Sequence, residues 1–332
     1  MTTPGVSLEI LDLRHFTAAL LRPLLEIEGD VWQQRLHWDY RTSARLLMQY
    51  LDGRMLPGYA AVDAGRVTGY AFCVYEETKA VIGDVFAVPP ETAGEDEPRQ
   101  SAIEIETTLL RHLFETLQNS PHVDRIESQL LLHPSGAHAV IFRDAGFQVY
   151  RRLFMVQRLV GLPVPQHVSI PAGLEIRPWR DDDLSAAGKL ISEAYADHPD
   201  SVINDQYRSS HGSLRFLHNI VRYSGCGVFA PQVSHIVLER GSRDMVALVL
   251  GSRVSGTSGH ITQLCVRPQD RRRGLGRMLL GVAAAAFVRQ GLSEVSLTVT
   301  EANARAIDLY RSEGYELRHT FDAAVWRRES GY

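Results

Sequence analysis

The junction at residues 264–287, LCVRPQDRRRGLGRMLLGVAAAAF, constrains the fold more than any other part of the chain. An apolar run of strand type stops at Pro268, three consecutive arginines follow, and a Gly-x-Gly turn passes directly into an alanine- and leucine-rich stretch of helical type. A strand that turns at once into an apolar helix needs a layer of sheet against a layer of helix. The same junction limits what the turn can hold. The first turn of a helix leaves N–H groups unpaired and carries partial positive charge, so anions are stabilised there. Gly274 and Gly276 let an anion approach without a β-carbon in the way, and Arg271, Arg272 and Arg273 add charge suited to a pyrophosphate or a ribose phosphate. A P-loop would require Gly-Lys-Ser or Gly-Lys-Thr, and GLGRMLL lacks the third glycine or alanine of the dinucleotide fingerprint.

A formal net charge of −4 gives no global attraction to polyanions, so any such site is local. The arginine run lacks the flanking aromatics that stack on bases, which argues against a nucleic-acid partner. Cys73, Cys226 and Cys265 are odd in number and widely spaced, which fits neither a disulfide framework nor a cysteine zinc motif; no metal is expected, and a reducing cytoplasm is. The start, MTTPGVSLEILDLRHF, has no signal-peptide pattern, and no apolar run is long enough to span a bilayer, so no membrane partner is expected.

With 332 residues the chain suits two domains of about 150 residues each. The composition shift at VGLPVPQHVSIPAG places the boundary so that residues 1–165 form one domain and 173–332 the other. In the second, strand, helix and turn signals give the order β, α, α, β, β, β, α, β, α, β, an α/β (α+β) fold on a mixed sheet. The halves also echo each other. IFRDAGFQ at 141–148 matches LYRSEGYE at 309–316, and IGDVFAVPP matches ITQLCVRP in pattern, each followed by a loop and a long helix. Where the second copy has PQDRRRGLGR, the first has PPETAGEDEPRQ, with Glu91, Glu95, Asp96 and Glu97 replacing the arginines. Phe142 stands in the place of Tyr310, and Ser135 in that of Asn303.

Residues 261–315 resemble the GNAT superfamily of N-acetyltransferases. The likeness is carried by the strand before the turn, by Arg-x-x-Gly-x-Gly as Arg271, Gly274 and Gly276, and by NARAIDLYRSEGY, with Asn303, Ala306, Leu309, Tyr310, Gly314 and Tyr315 at the family's positions. The resemblance implies two GNAT-like domains in tandem, the first degenerate. It implies acetyl-CoA as cosubstrate, with its pyrophosphate on the backbone of Arg272, Arg273, Gly274, Leu275, Gly276 and Arg277 and its pantetheine along Leu264, Cys265 and Val266. Asn303 would help to hold the pantetheine arm. Tyr310 would stand near the thioester sulfur as general acid, against a bland reading as core beside Leu309.

The activity implied is transfer of an acetyl group to a primary amine of a small molecule by direct attack in a ternary complex. A non-catalytic acyl-CoA sensor and acetylation of a protein amine stay open, as does a homodimer. Glu193, Asp197, His198, Asp200, His260 and Glu301 are all weak candidates for the general base. Cys265 could act as a nucleophile, but it has no demonstrable His partner, and a buried structural role is the better reading. The first copy is expected to bind no acetyl-CoA and to shape or cover the acceptor groove of the second.

Overall fold

A computed structural model describes residues 8–89, 101–162, 169–222 and 227–329. Glu91, Glu95, Asp96, Glu97 and Cys226 lie outside the described residues. The first part of the chain forms β1 (Glu9–Asp12), α1 (Ala18–Leu36), α2 (Arg41–Asp52), β2 (Gly58–Asp63), β3 (Arg66–Glu76), β4 (Lys79–Ala87), α3 (Ala102–Asn119), β5 (Arg125–Gln129), α4 (Ala139–Asp144) and β6 (Gln148–Arg158). There follow β7 (Leu174–Pro178), α5 (Leu184–Tyr195), α6 (Asp200–Ile203), α7 (Ser210–Arg222), β8 (Val228–Phe229), β9 (His235–Glu239), β10 (Met245–Arg253) and β11 (Ser258–Val266). The chain ends with α8 (Leu275–Arg289), β12 (Glu294–Thr300), α9 (Ala304–Ser312) and β13 (Glu316–Arg327).

Two compact units divide these elements, and neither is a single run of sequence. The first comprises residues 1–36, 40–151 and 321–332; the second comprises 37–39 and 152–320. Strand order in the first is β1-β2-β3-β4-β5, with the end of β13 beside β5; in the second it is β6-β12-β11-β10-β9-β7. The first unit completes its sheet from the far end of the chain, Ala323–Arg327 pairing with β5, and in the second Arg152–Arg158 pair with β12.

The internal repeat is visible in the register. In each unit one parallel pair sits among antiparallel ones, and it pairs over four residues only. β4 and β5 pair from Lys79↔Arg125 to Ile82↔Ser128, and β11 and β12 pair from Ser258↔Glu294 to Ile261↔Leu297. Beyond Ile82 and Ile261 the strands run on without each other, so each pair opens into a gap.

The sheet of the second unit is buried on both faces, which explains why β10 reads as an unbroken apolar run. Val246 and Val249 join the cluster built on Leu279, Ala283 and Phe287 of α8, whereas Leu248 and Leu250 join Leu190, Ile191 and Leu217 of α5 and α7 on the other face. Phe287 seats α8. A β-carbon on Gly259 would lie 2.5 Å from its ring, and one on Gly251 would lie 2.8 Å away, so both strands give up side chains where the helix approaches. That close seating fixes where α8 begins, and so where its first-turn amides lie.

Candidate active site

At the mouth of the gap between β11 and β12 lies the strand-to-helix junction. Pro268–Asp270 make a short 3₁₀ turn, Arg272 and Gly274 take positive φ of 64° and 80°, and α8 starts at Leu275. Gly274 suits its left-handed cap position because it has no β-carbon to strain. It also leaves the helix start without a side-chain cap, and no acidic residue stands in the first turn. The first N–H to find an intrahelical carbonyl is that of Met278, which donates to Gly274 O at 3.0 Å. The amides of Leu275, Gly276 and Arg277 are thus the helix's orphan donors.

The strand before the turn adds donors. Arg267 N–H donates to Val246 O at 2.8 Å, on the β10 side. Alternate residues of a strand in an antiparallel ladder send their N–H groups to opposite sides, so those of Leu264 and Val266 face the open gap.

The arginines divide their work. Arg271 donates to Ala194 O at the end of α5 (2.7 Å), and Arg273 donates to Asp270 Oδ1 at 2.5 Å, Asp270 also accepting from Arg267 at 2.6 Å. Arg277 pairs with Glu313 at 2.8 Å and with Ser312 Oγ at 2.8 Å, which ties the start of α8 to the end of α9. Two of the three consecutive arginines therefore shape the turn, a division that three adjacent letters do not reveal. Arg272 is exposed.

Asn303 caps α9, its Oδ1 accepting from Ala306 N–H at 3.2 Å, while its Nδ2 lies 3.1 Å from His198 Nε2. His198 Nδ1 faces the Asp200 N–H at 3.1 Å, and Asp200 Oδ1 accepts from the Thr300 hydroxyl at 2.6 Å. Both ring nitrogens of His198 thus look at N–H groups; a neutral ring can accept from one of them, and an imidazolium from neither. Burial lowers its pKa, Asp200 opposes that, and Arg271 adds to it. His198 is held neutral and held in place, a role the sequence did not suggest.

Tyr310 lies partly buried, its ring 5.9 Å from that of Tyr315. Burial pushes its pKa up, the charge of Asp200 adds to the rise, and Arg152 opposes it, so the hydroxyl keeps its proton at neutral pH. Cys265 is buried, and burial raises its thiol pKa against the pull of Arg271, so no thiolate forms near neutrality. His260 is enclosed by Trp38 and Phe154, bonds to Ser296 Oγ at 2.9 Å, and has its pKa lowered to about 3 by burial with Arg152 adding. Glu193, Asp197 and Glu301 are exposed.

The corresponding gap in the first unit is stopped from within. Val88 N–H donates to Thr68 O on the β3 side, so Val85 and Ala87 face the gap as Leu264 and Val266 do. Both of their amides are taken: Val85 N–H by Asp84 Oδ1 at 2.9 Å, and Ala87 N–H by Glu106 Oε1 at 3.1 Å. The following helix is also capped. Ser101 Oγ accepts from Glu104 N–H, and Glu104 Oε2 accepts from Ser101 N–H at 2.7 Å, a capping box that α8 lacks. Phe142 is buried among Phe114 and Phe147, and Ser135 donates to Asp322 at 2.6 Å.

Among the described residues the two units share one sheet-and-helix plan, and only the second leaves gap-facing strand amides and a helix start without side-chain partners. Residues 197–315 match the acetyltransferase (GNAT) family, which marks the protein as an acyltransferase. It is 28% identical over 269 residues to a mycothiol acetyltransferase of Kocuria rhizophila, covering 78% of this chain and 81% of that protein. It is 32% identical over 188 residues to a mycothiol acetyltransferase of Salinispora arenicola, covering 55% of this chain and 57% of that one. Among solved structures, a GCN5-related N-acetyltransferase from Sphaerobacter thermophilus matches with a TM-score of 0.68 at 18% identity, covering 98% of this chain and 97% of that one. A tandem GNAT protein from the clavulanic acid biosynthesis pathway matches at 0.59 and 14% identity, covering 98% and 100%. At such identities these two structures show the fold alone. No helix among the described residues is long and apolar enough to cross a membrane.

Proposed function

We propose that the second unit transfers an acetyl group from acetyl-CoA to a primary amine of a small molecule, by direct attack in a ternary complex, and that the first unit binds no acetyl-CoA. The observation that carries this reading is the uncapped start of α8 beside the free amides of Leu264 and Val266. An uncapped helix start fits a pyrophosphate, and two alternate strand amides fit the amide-bearing pantetheine chain. The backbone of Arg272, Arg273, Gly274, Leu275, Gly276 and Arg277 would hold the phosphates, with Arg272 free to add charge, and Leu264 and Val266, on either side of Cys265, would hold the arm through main-chain atoms. Asn303, already bonded to Ala306 and His198, keeps one amide hydrogen for the same arm. The curated relatives named for acetylation of a small molecule favour a small acceptor over a protein.

Bound acetyl-CoA supplies the activated acetyl group. The chain supplies donors and a proton. A gap-facing amide polarises the carbonyl, which gains negative charge as the amine attacks. Tyr310 holds its proton at Oη, as a group must that is to protonate a departing thiolate. Cys265 and His260 take no part, since burial keeps one a thiol and the other a neutral ring shut among aromatics.

Incubating the protein with acetyl-CoA and a panel of small primary amines, and measuring free CoA thiol, tests the reading. Amine-dependent release at a rate well above the amine-free control is expected. Tight binding with no release for any amine, amino sugars included, would instead describe an acyl-CoA sensor.

A further inference from the structure

We propose that Glu106, His133 and His138 form a divalent-metal site in the first unit, and that zinc is the ion it fits best. The three side chains come from α3, from the loop after β5 and from the N-cap of α4, and all are buried, at 5%, 8% and 5% exposure. One ligand atom from each lies within 4.8 Å of the others. Glu106 Oε2 is 3.1 Å from His138 Nε2 and 3.7 Å from His133 Nδ1. Tetrahedral zinc with ligands at about 2.05 Å sets neighbouring ligand atoms roughly 3.3 Å apart, between those two distances.

The hydrogen bonds around the cluster are those of a ligand set. His133 Nε2 lies 2.7 Å from Val85 O; a carbonyl only accepts, so Nε2 carries a proton, and in the neutral ring Nδ1 presents its lone pair. That lone pair faces a carboxylate oxygen, with no hydrogen between them to bind the two. A cation between them accounts for the arrangement. Donation of the second ring nitrogen to a backbone carbonyl is the usual support of a metal-bound histidine. Glu106 is likewise held, its Oε1 accepting from Ala87 N–H. His138 is the decisive member: buried, its Nδ1 has no partner, and its Nε2 approaches Glu106 Oε2 at 3.1 Å without hydrogen-bond geometry. Buried imidazole nitrogens without partners are costly, and coordination removes the cost at one of them.

Two imidazoles and one carboxylate suit zinc better than magnesium or calcium, which prefer oxygen ligands alone. Three protein ligands leave the fourth position to water. His138 also lines a cleft of about 470 Å³ with Arg111, Phe114, Glu115 and Asp144, which leaves the cluster one side chain from solvent. The same Glu106 that closes the first unit's strand gap to a pantetheine chain thus holds the ion, so the gap that lost one ligand gained another.

The full chain, stripped with a chelator, is titrated with Co²⁺ while its visible ligand-field absorption is followed, and zinc per chain is measured by elemental analysis after equilibration with zinc sulfate and gel filtration. The proposal predicts Co²⁺ bands of a low-coordinate nitrogen and oxygen site, bleached by added zinc, and about one zinc per chain. His138→Gln should weaken zinc at least 100-fold in a chelator competition, whereas His112→Ala, at an exposed histidine, should change it less than twofold. Should His138→Gln unfold, the wild-type Co²⁺ spectrum still decides. No absorption, or zinc bound equally by wild type and His138→Gln, would overturn the assignment.

Discussion

Asn303 Nδ2 lies 3.1 Å from His198 Nε2, so the residue that caps α9 also fixes a ring from the loop after α5. The pair spans 105 positions of sequence. Asn303→Ala should lose the cap, about 1 kcal/mol, and free His198. Asn303→Asp should keep the cap but set a carboxylate against Nε2, raising the pKa of His198. Urea melts and an NMR titration of the His198 ring check the two, and an unmoved titration in Asn303→Asp would refute the contact.

Tyr310→Phe keeps the ring against Tyr315 and removes only the hydroxyl. Turnover should fall about 10²–10⁴-fold, with acetyl-CoA affinity and melting temperature little changed. Full turnover at saturating substrates would dismiss Tyr310 as the acid; loss of folding would make it core.

His260 gives a pH signature. Its folded pKa is lowered from 6.5 to about 3, so between those values the unfolded chain binds the extra proton. Its contribution is complete above about pH 6.5 and is lost as pH falls toward 3, at about 1.4 kcal/mol per pH unit for one proton. Replacing the ring by His260→Gln should flatten the acid limb of a urea-stability series by that amount. An identical slope in wild type and variant would show that the ring titrates normally.

The repeat, the mixed sheet and the junction at α8 were legible because they rest on local chemistry: turn glycines, apolar runs and the NARAIDLYRSEGY spacing around Asn303 and Tyr310. Side-chain partnerships were not. Arg271 reads as a phosphate ligand until Ala194 O is seen beside it, 77 positions away. Glu106, His133 and His138 carry no motif, since the first is one acidic letter in an apolar helix and HPSGAH reads as a turn. A zinc search led by cysteines passes over them. The division of β6 and β13 between the units is equally silent, because no turn residue interrupts either strand where one unit gives way to the other.

Calorimetric titration of the full chain with acetyl-CoA is the most direct test of the central claim, that one strand gap and one helix start hold the donor while their counterparts are closed by Asp84, Glu106 and the Ser101 cap. About one site per chain is predicted, with affinity collapsing in Gly276→Glu, whose β-carbon meets only the mobile end of Leu309 at 3.3 Å and whose fold should survive by thermal melt. Two independent sites per chain, or unchanged affinity in a folded Gly276→Glu, would contradict the account.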